Sequence, residues 1–143
     1  MYNSRKPHGN IERSQPWIFS LFIIVLLVGS LLAACSTKPA AGELIISVSD
    51  AYELFQDEVF MLDVRTLEEY QAGHIPGAAL IPLEQLGARY MELPQDETIV
   101  VYCRSANRSL EAVYFLESVG FKRVHSMDRG FNNWTANGYE VEK

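Results

Sequence analysis

Cysteine is nearly absent: Cys35 and Cys103 are the only two in 143 residues, too few to staple a disulfide-dense miniprotein. Histidine is almost as scarce, and neither His74 nor His125 stands at metal-ligand spacing from a cysteine or another histidine. The sequence therefore offers no metal site, no Ser/His/Asp arrangement and no Cys/His dyad. Basic residues number 12 against 18 acidic ones, and no stretch concentrates positive charge, which argues against nucleic acid as a partner. Internal repeats and low-complexity tracts are missing, and the length allows one ordinary core and no more. Hydrophobic residues at 48% and charged residues at 21% give a globular balance.

The charge that is present is unevenly placed. Residues 1–34 carry Arg5, Lys6 and Arg13 against Glu12, while residues 35–143 are net −8. After the basic head, Trp17 to Ala34 runs without a charge, the layout of a secretory signal. As a helix such a run reaches roughly 27 Å, so an uncleaved transmembrane anchor is the competing reading. Leu32-Ala33-Ala34-Cys35 resembles the lipobox of bacterial lipoproteins, where the cysteine is lipidated and becomes the new N-terminus. The expectation is a signal peptide over residues 1–34, lipid on Cys35, a small polar tether over 35–42, and a folded domain over 43–143. Both readings place the domain on the non-cytoplasmic side of a membrane in the bacterial envelope, with the basic residues left inside. In that compartment two cysteines ordinarily pair, but a thioether-linked Cys35 cannot, which leaves Cys103 as the one free thiol.

Beyond the tether, short apolar runs rich in β-branched residues recur: Leu44 to Val48, Val59 to Leu62, Ala78 to Ile81, Thr98 to Tyr102 and a weaker Arg123 to His125. Helical segments lie between them. Ser49 precedes one, Thr66 and Glu69 form a capping-box pattern at the start of another, and Gly73 and Gly120 stand where two helices should stop. Continuous apolar strands separated by helices predict an α/β fold, a five-stranded parallel sheet with helices on both faces. Ligands of such sheets bind beyond the carboxyl ends of the strands, so the segments after Leu62 and Tyr102 are the places to search.

After Tyr102 the chain reads Cys103-Arg104-Ser105-Ala106-Asn107-Arg108 and then enters an amphipathic helix. A thiol between a strand end and a helix start faces amide N–H groups that have no partner within the helix, together with the positive end of the helix dipole. Both favour a negative sulfur, and the charges of Arg104 and Arg108 act in the same direction.

Several motifs in order now resemble the rhodanese-like family: Asp63-Val64-Arg65, then Glu68-Glu69-Tyr70, Gly73-His74-Ile75-Pro76-Gly77-Ala78, the cysteine loop, and Gly130-Phe131-Asn132-Asn133-Trp134 with Gly138-Tyr139. The resemblance covers roughly Glu43 to Glu142. It implies a sulfurtransferase in which Cys103 takes a sulfane sulfur from thiosulfate or a persulfide donor and passes it to a thiol or cyanide acceptor, with no cofactor. It assigns Arg104, Ser105, Ala106, Asn107 and Arg108 to the substrate loop, with Arg108 closing the loop and Arg104 recruiting the anionic donor. A carrier that depends on a partner protein for turnover is the alternative.

Related folds that act as phosphatases or arsenate reductases place five residues between cysteine and arginine; four stand here, which favours sulfur transfer. Two positions depart from the family pattern. Ala106 occupies the middle of the loop, where glycine is common, and Arg129 precedes Gly130, where glycine is also frequent. Asp63 with Arg65 reads more simply as an ion pair bracing loops than as a substrate contact, and Tyr102, Trp134 and Tyr139 as core or pocket wall.

Overall fold

The computed structural model describes residues 43–143; the signal and tether readings, Cys35 included, lie outside the described residues. The elements run β1 (Ile45–Ile46), α1 (Val48–Gln56), β2 (Phe60–Asp63), α2 (Leu67–Ala72), β3 (Ala79–Leu80), α3 (Leu83–Arg89), a 3-10 turn (Tyr90–Glu92), β4 (Ile99–Tyr102), α4 (Asn107–Ser118), β5 (Val124–Met127) and α5 (Gly130–Ala136). All five strands are parallel, in the order β1-β5-β4-β2-β3. Each expected apolar run contributes one of them.

Two boundaries differ from the sequence expectation. The first helix begins at Val48, not after Ser49, because the Ser47 side chain accepts from the Asp50 N–H at 3.1 Å and so caps the helix two residues earlier. The weak fifth run extends through Ser126 to Met127, because Ser126 satisfies its buried hydroxyl against Ser109 at 2.8 Å. The other caps follow the residues that predicted them. Thr66 and Glu69 form a reciprocal capping box on α2, and Gly73 caps its C-terminal end. At Gly120, past the end of α4, φ is +107°, a conformation that glycine adopts without a Cβ penalty.

The pleat divides the core between the two faces. Ile99, Val101 and Cys103 pack with Leu86 of α3 and with Ala112, Val113 and Leu116 of α4. Val100 and Tyr102 point the other way, into Ala51 and Leu54 of α1 and Trp134 of α5. Trp134 is fully buried, with Phe55 and Tyr139 meeting its ring edge-on, and its indole N–H donates to the Glu140 carbonyl at 2.8 Å.

This strand order fixes where ligands can enter. From β2 the chain moves outward to β3, whereas from β4 it moves in the opposite direction to β5. Strands β2 and β4 are adjacent, with Asp63 paired to Tyr102, so their following loops diverge from neighbouring points and leave a crevice between them.

Candidate active site

Cys103 lies in that crevice, one residue past β4, as the one free cysteine among the described residues and almost fully buried. What holds it is largely backbone. Carbonyl oxygens of the loop turn away from the site toward the start of α5: the Phe131 N–H donates to Cys103 O at 2.7 Å and the Asn132 N–H to Arg104 O at 3.1 Å. With its carbonyls tied down on that side, the loop directs its amides elsewhere. From Arg104 to Ser109, none of the amide N–H groups finds a protein acceptor among the described residues. Such a run of unpaired donors in the loop that follows a cysteine, at the start of a helix, has the makings of an anion-binding nest.

The nest depends on a left-handed residue. Ala106 adopts φ +82°, ψ −15° just before α4, and its carbonyl accepts from the Leu110 N–H at 3.0 Å and the Ser109 hydroxyl at 3.0 Å. The mid-loop position thus requires the backbone that glycine provides freely, and alanine there carries strain of about 1 kcal/mol. Arg129, the second departure from the family pattern, also has positive φ, +53°, and its exposed side chain reaches Asp128 only at 3.7 Å. Ser105 and Asn107 are exposed, and their contribution to the loop is backbone.

The two loop arginines play different parts. Arg104 is exposed and makes no ion pair among the described residues, so its charge is available to an incoming anion. Arg108 is engaged: it donates from Nη1 to Glu69 Oε2 and from Nη2 to Glu69 Oε1, both at 2.8 Å. Hydrogen bonds from Arg108 hold the Glu69 carboxyl at about 2, against the opposing effect of burial. The same Glu69 accepts from the Thr66 N–H at 3.1 Å, so one carboxylate both caps α2 and latches the cysteine loop. Arg108 gains proton affinity first from Glu69, and Cys103 adds to it. The sequence marked Glu69 as a helix cap and as part of a family motif, without a partner; Arg108 lies 39 residues away and nothing local announces the pair.

Asp63 and Arg65 form the brace expected of them. Arg65 Nη2 donates to Asp63 Oδ2 at 2.6 Å and to the Gly73 carbonyl at 2.8 Å, and its guanidinium stacks 4.1 Å over the Phe131 ring. This ties the ends of β2, α2 and α5 together at the wall of the site. The Tyr102 hydroxyl accepts from the Ile75 N–H at 3.2 Å; burial, and then the Asp63 carboxylate, push its phenol well above the usual range, so it stays neutral. The histidines also serve the scaffold: His74 meets the Tyr70 carbonyl and Glu142, and His125 meets the Glu43 carbonyl. Beside the loop, a cleft of about 220 Å³ opens between Arg65, Glu69, Gly73, Arg104, Phe131 and Asn132. It is smaller than the roughly 300–1,000 Å³ of sites for drug-sized ligands, and suits a small anion.

The rhodanese-like domain model matches residues 47–137, more than half of the chain and including every element of this site. The chain belongs to the rhodanese-like family. A thiosulfate sulfurtransferase, GlpE, of Pseudoalteromonas translucida is 36% identical over 92 residues, covering 64% of this chain and 88% of that protein. An HTH-type transcriptional regulator of Mycobacterium tuberculosis is 43% identical over 88 residues, 60% of this chain, but the match spans only 38% of the regulator's length. Among solved structures, a rhodanese-related protein of Thermoplasma volcanium superposes with a TM-score of 0.65 at 31% identity, covering 69% of this chain and 97% of that one. Family membership and the named sulfurtransferases among its relatives support a sulfurtransferase of the general rhodanese kind.

Proposed function

We propose that this protein is a sulfurtransferase that carries a sulfane sulfur as a persulfide on Cys103. The observation that carries the reading is a buried thiol followed by a loop whose amides, from Arg104 to Ser109, have no protein acceptor among the described residues, and we read them as the fixed donors for a terminal sulfur anion. In the first half-reaction the Cys103 thiolate attacks the outer sulfur of thiosulfate. A Cys103 S–S bond forms, the donor's S–S bond breaks, and sulfite leaves with the electron pair. In the second, an acceptor thiolate or cyanide attacks the terminal sulfur and the pair returns to Cys103. Both steps need only nucleophile and leaving group. Arg104 at the rim of the cleft attracts the donor, and the Arg108–Glu69 latch keeps the loop closed around the sulfur.

The decisive experiment is mass spectrometry of the protein after exposure to thiosulfate, which should show one added sulfur on Cys103. Cys103→Ser should abolish the added mass while circular dichroism stays unchanged. An unmodified Cys103 in a folded protein refutes the reading. We also propose that Cys35 is lipidated and holds the domain at a membrane outside the cytoplasm, on the strength of Leu32-Ala33-Ala34-Cys35 ending an uncharged run. Intact-mass analysis of the native protein should find an acylated Cys35 at the N-terminus; Met1 retained with no acyl mass refutes it.

A further inference from the structure

The Arg108–Glu69 pair stands between two cavities, with one partner lining each. On one side Glu69 lines the small cleft beside the cysteine loop; on the other Arg108 closes the end of a larger groove, about 410 Å³, between α3 and α4. The latch is therefore a partition. The floor of the groove is apolar, made by Leu83, Leu86 and Phe115, and Glu84 and Glu111 stand on its two walls. Both carboxylates are exposed and neither has an ion-pair partner among the described residues. Because Glu69 already balances Arg108, these two charges set the sign of the groove. Gly87 lines it with bare backbone, and a Cβ there would meet nothing within 4 Å, so a larger side chain can be introduced at the groove without a clash.

Resting on the sulfur-transfer reading, we propose that the α3–α4 groove docks the acceptor, a thiol-bearing protein segment that combines apolar and positively charged side chains. The chemistry fits no other occupant as well. The carboxylates repel anionic lipid headgroups, and a second copy of this chain would bring a net-negative body whose Cys103 is buried. Apolar side chains of the acceptor cover the floor while its cations meet Glu84 and Glu111, and its thiol approaches at the Arg108 end. From that end the acceptor thiolate reaches past the Arg108–Glu69 pair to attack the terminal sulfur of the Cys103 persulfide. The old S–S bond breaks with its electron pair returning to Cys103, the new one forms on the acceptor, and no further reactant is consumed.

Two thiol peptides test this, KLCLK and its acidic counterpart ELCLE, used as acceptors with the full-length protein loaded by thiosulfate. The KM for KLCLK should lie at least about tenfold below that for ELCLE at low salt, roughly 1.4 kcal/mol. In Gly87→Phe, which fills the groove, and in Glu84→Lys/Glu111→Lys, which reverses its charge, the ratio should collapse toward about twofold. Thiosulfate loading and cyanide turnover should stay as they were. Glu53→Lys/Glu97→Lys, exposed carboxylates outside the groove, should keep the ratio and so separates local docking from whole-body charge. Equal KM values for the two peptides, or a ratio that survives both groove changes or falls as far in the control, overturns the docking proposal with sulfur loading intact. No loading of the unaltered protein overturns the sulfur-transfer reading itself, and the docking proposal with it.

Discussion

Gly130 presents its bare Cα to the backbone carbonyl of Cys103, so closely that a Cβ there would sit 2.9 Å from the carbonyl carbon and press on the oxygen. The neighbouring Phe131 N–H holds that same oxygen at 2.7 Å. The loop that surrounds the thiol is thus seated on the start of α5, and a glycine makes the approach feasible. Gly130→Ala meets immovable backbone and also forces a side chain onto φ +54°. The expected cost is about 2 to 4 kcal/mol, from overpacking plus left-handed strain, read as a lower urea midpoint. Sulfur transfer should fall further than stability accounts for, because the displaced atoms belong to the cysteine loop.

How much of this was legible in the sequence depends on how local each cause is. The five strands announced themselves through β-branched runs, and Thr66 with Glu69 wrote its helix start within four residues. The anion-binding loop followed from one strand end, one cysteine and one helix start. The β5 extension was hidden, because Ser126 looks like a strand terminator until Ser109 is seen to satisfy it. Two of the site's braces were hidden more deeply. Glu69 with Arg108 and Gly130 with Cys103 are long-range pairs whose partners share no periodicity, so only the folded chain brings them together. Gly130 did leave a trace, as the first residue of the G-x-x-x-W element, but that spacing says nothing about what the glycine touches.

The Glu69–Arg108 latch should be visible in the pH dependence of stability. Glu69 has its folded-state carboxyl lowered from an ordinary 4.5 to about 2 by Arg108. A depressed carboxyl contributes stability above its unfolded value, and the contribution fades as pH falls from about 4.5 toward 2. Glu69→Gln should therefore cost about 1 kcal/mol at pH 7, as befits a partly exposed but bidentate pair. The gap between variant and unaltered protein should narrow steadily from pH 5 to pH 3. Urea melts at several pH values measure it, and a gap that is constant across that range contradicts the assignment.

Ala106 should be improvable. At φ +82° an L-residue pays the left-handed penalty, about 1 to 2 kcal/mol, while glycine pays only the extra unfolded-chain entropy of about 0.4 to 1 kcal/mol. Ala106→Gly should therefore stabilise the domain by roughly 0.5 to 1 kcal/mol and preserve sulfur transfer, since the residue's role is backbone shape. A lower thermal midpoint for the variant would show that the alanine methyl has a packing role that outweighs the strain.

Donor choice should follow the size of the nest more than its charge. Arg104, the free amides and the helix start attract thiosulfate and phosphate alike, so electrostatics alone does not choose between them. Geometry does. On the sulfur-transfer reading, the four residues between Cys103 and Arg108 make a ring sized for one terminal sulfur on a buried thiol. A phosphoryl group places three oxygens in the same space, and each that misses its donor forgoes about 1.5 to 3 kcal/mol. Two such losses already amount to a factor of at least about 100 in rate. The unaltered protein should transfer sulfur from thiosulfate and leave p-nitrophenyl phosphate essentially untouched in a side-by-side assay. A glycine inserted between Ala106 and Asn107 widens the ring by one donor and should move the ratio toward the phosphate ester. Because Ala106 is already left-handed and Asn107 opens α4, the added residue falls at the one point in the loop where the backbone already turns before the helix begins. Efficient phosphatase activity without sulfur transfer in the unaltered protein would reverse the assignment.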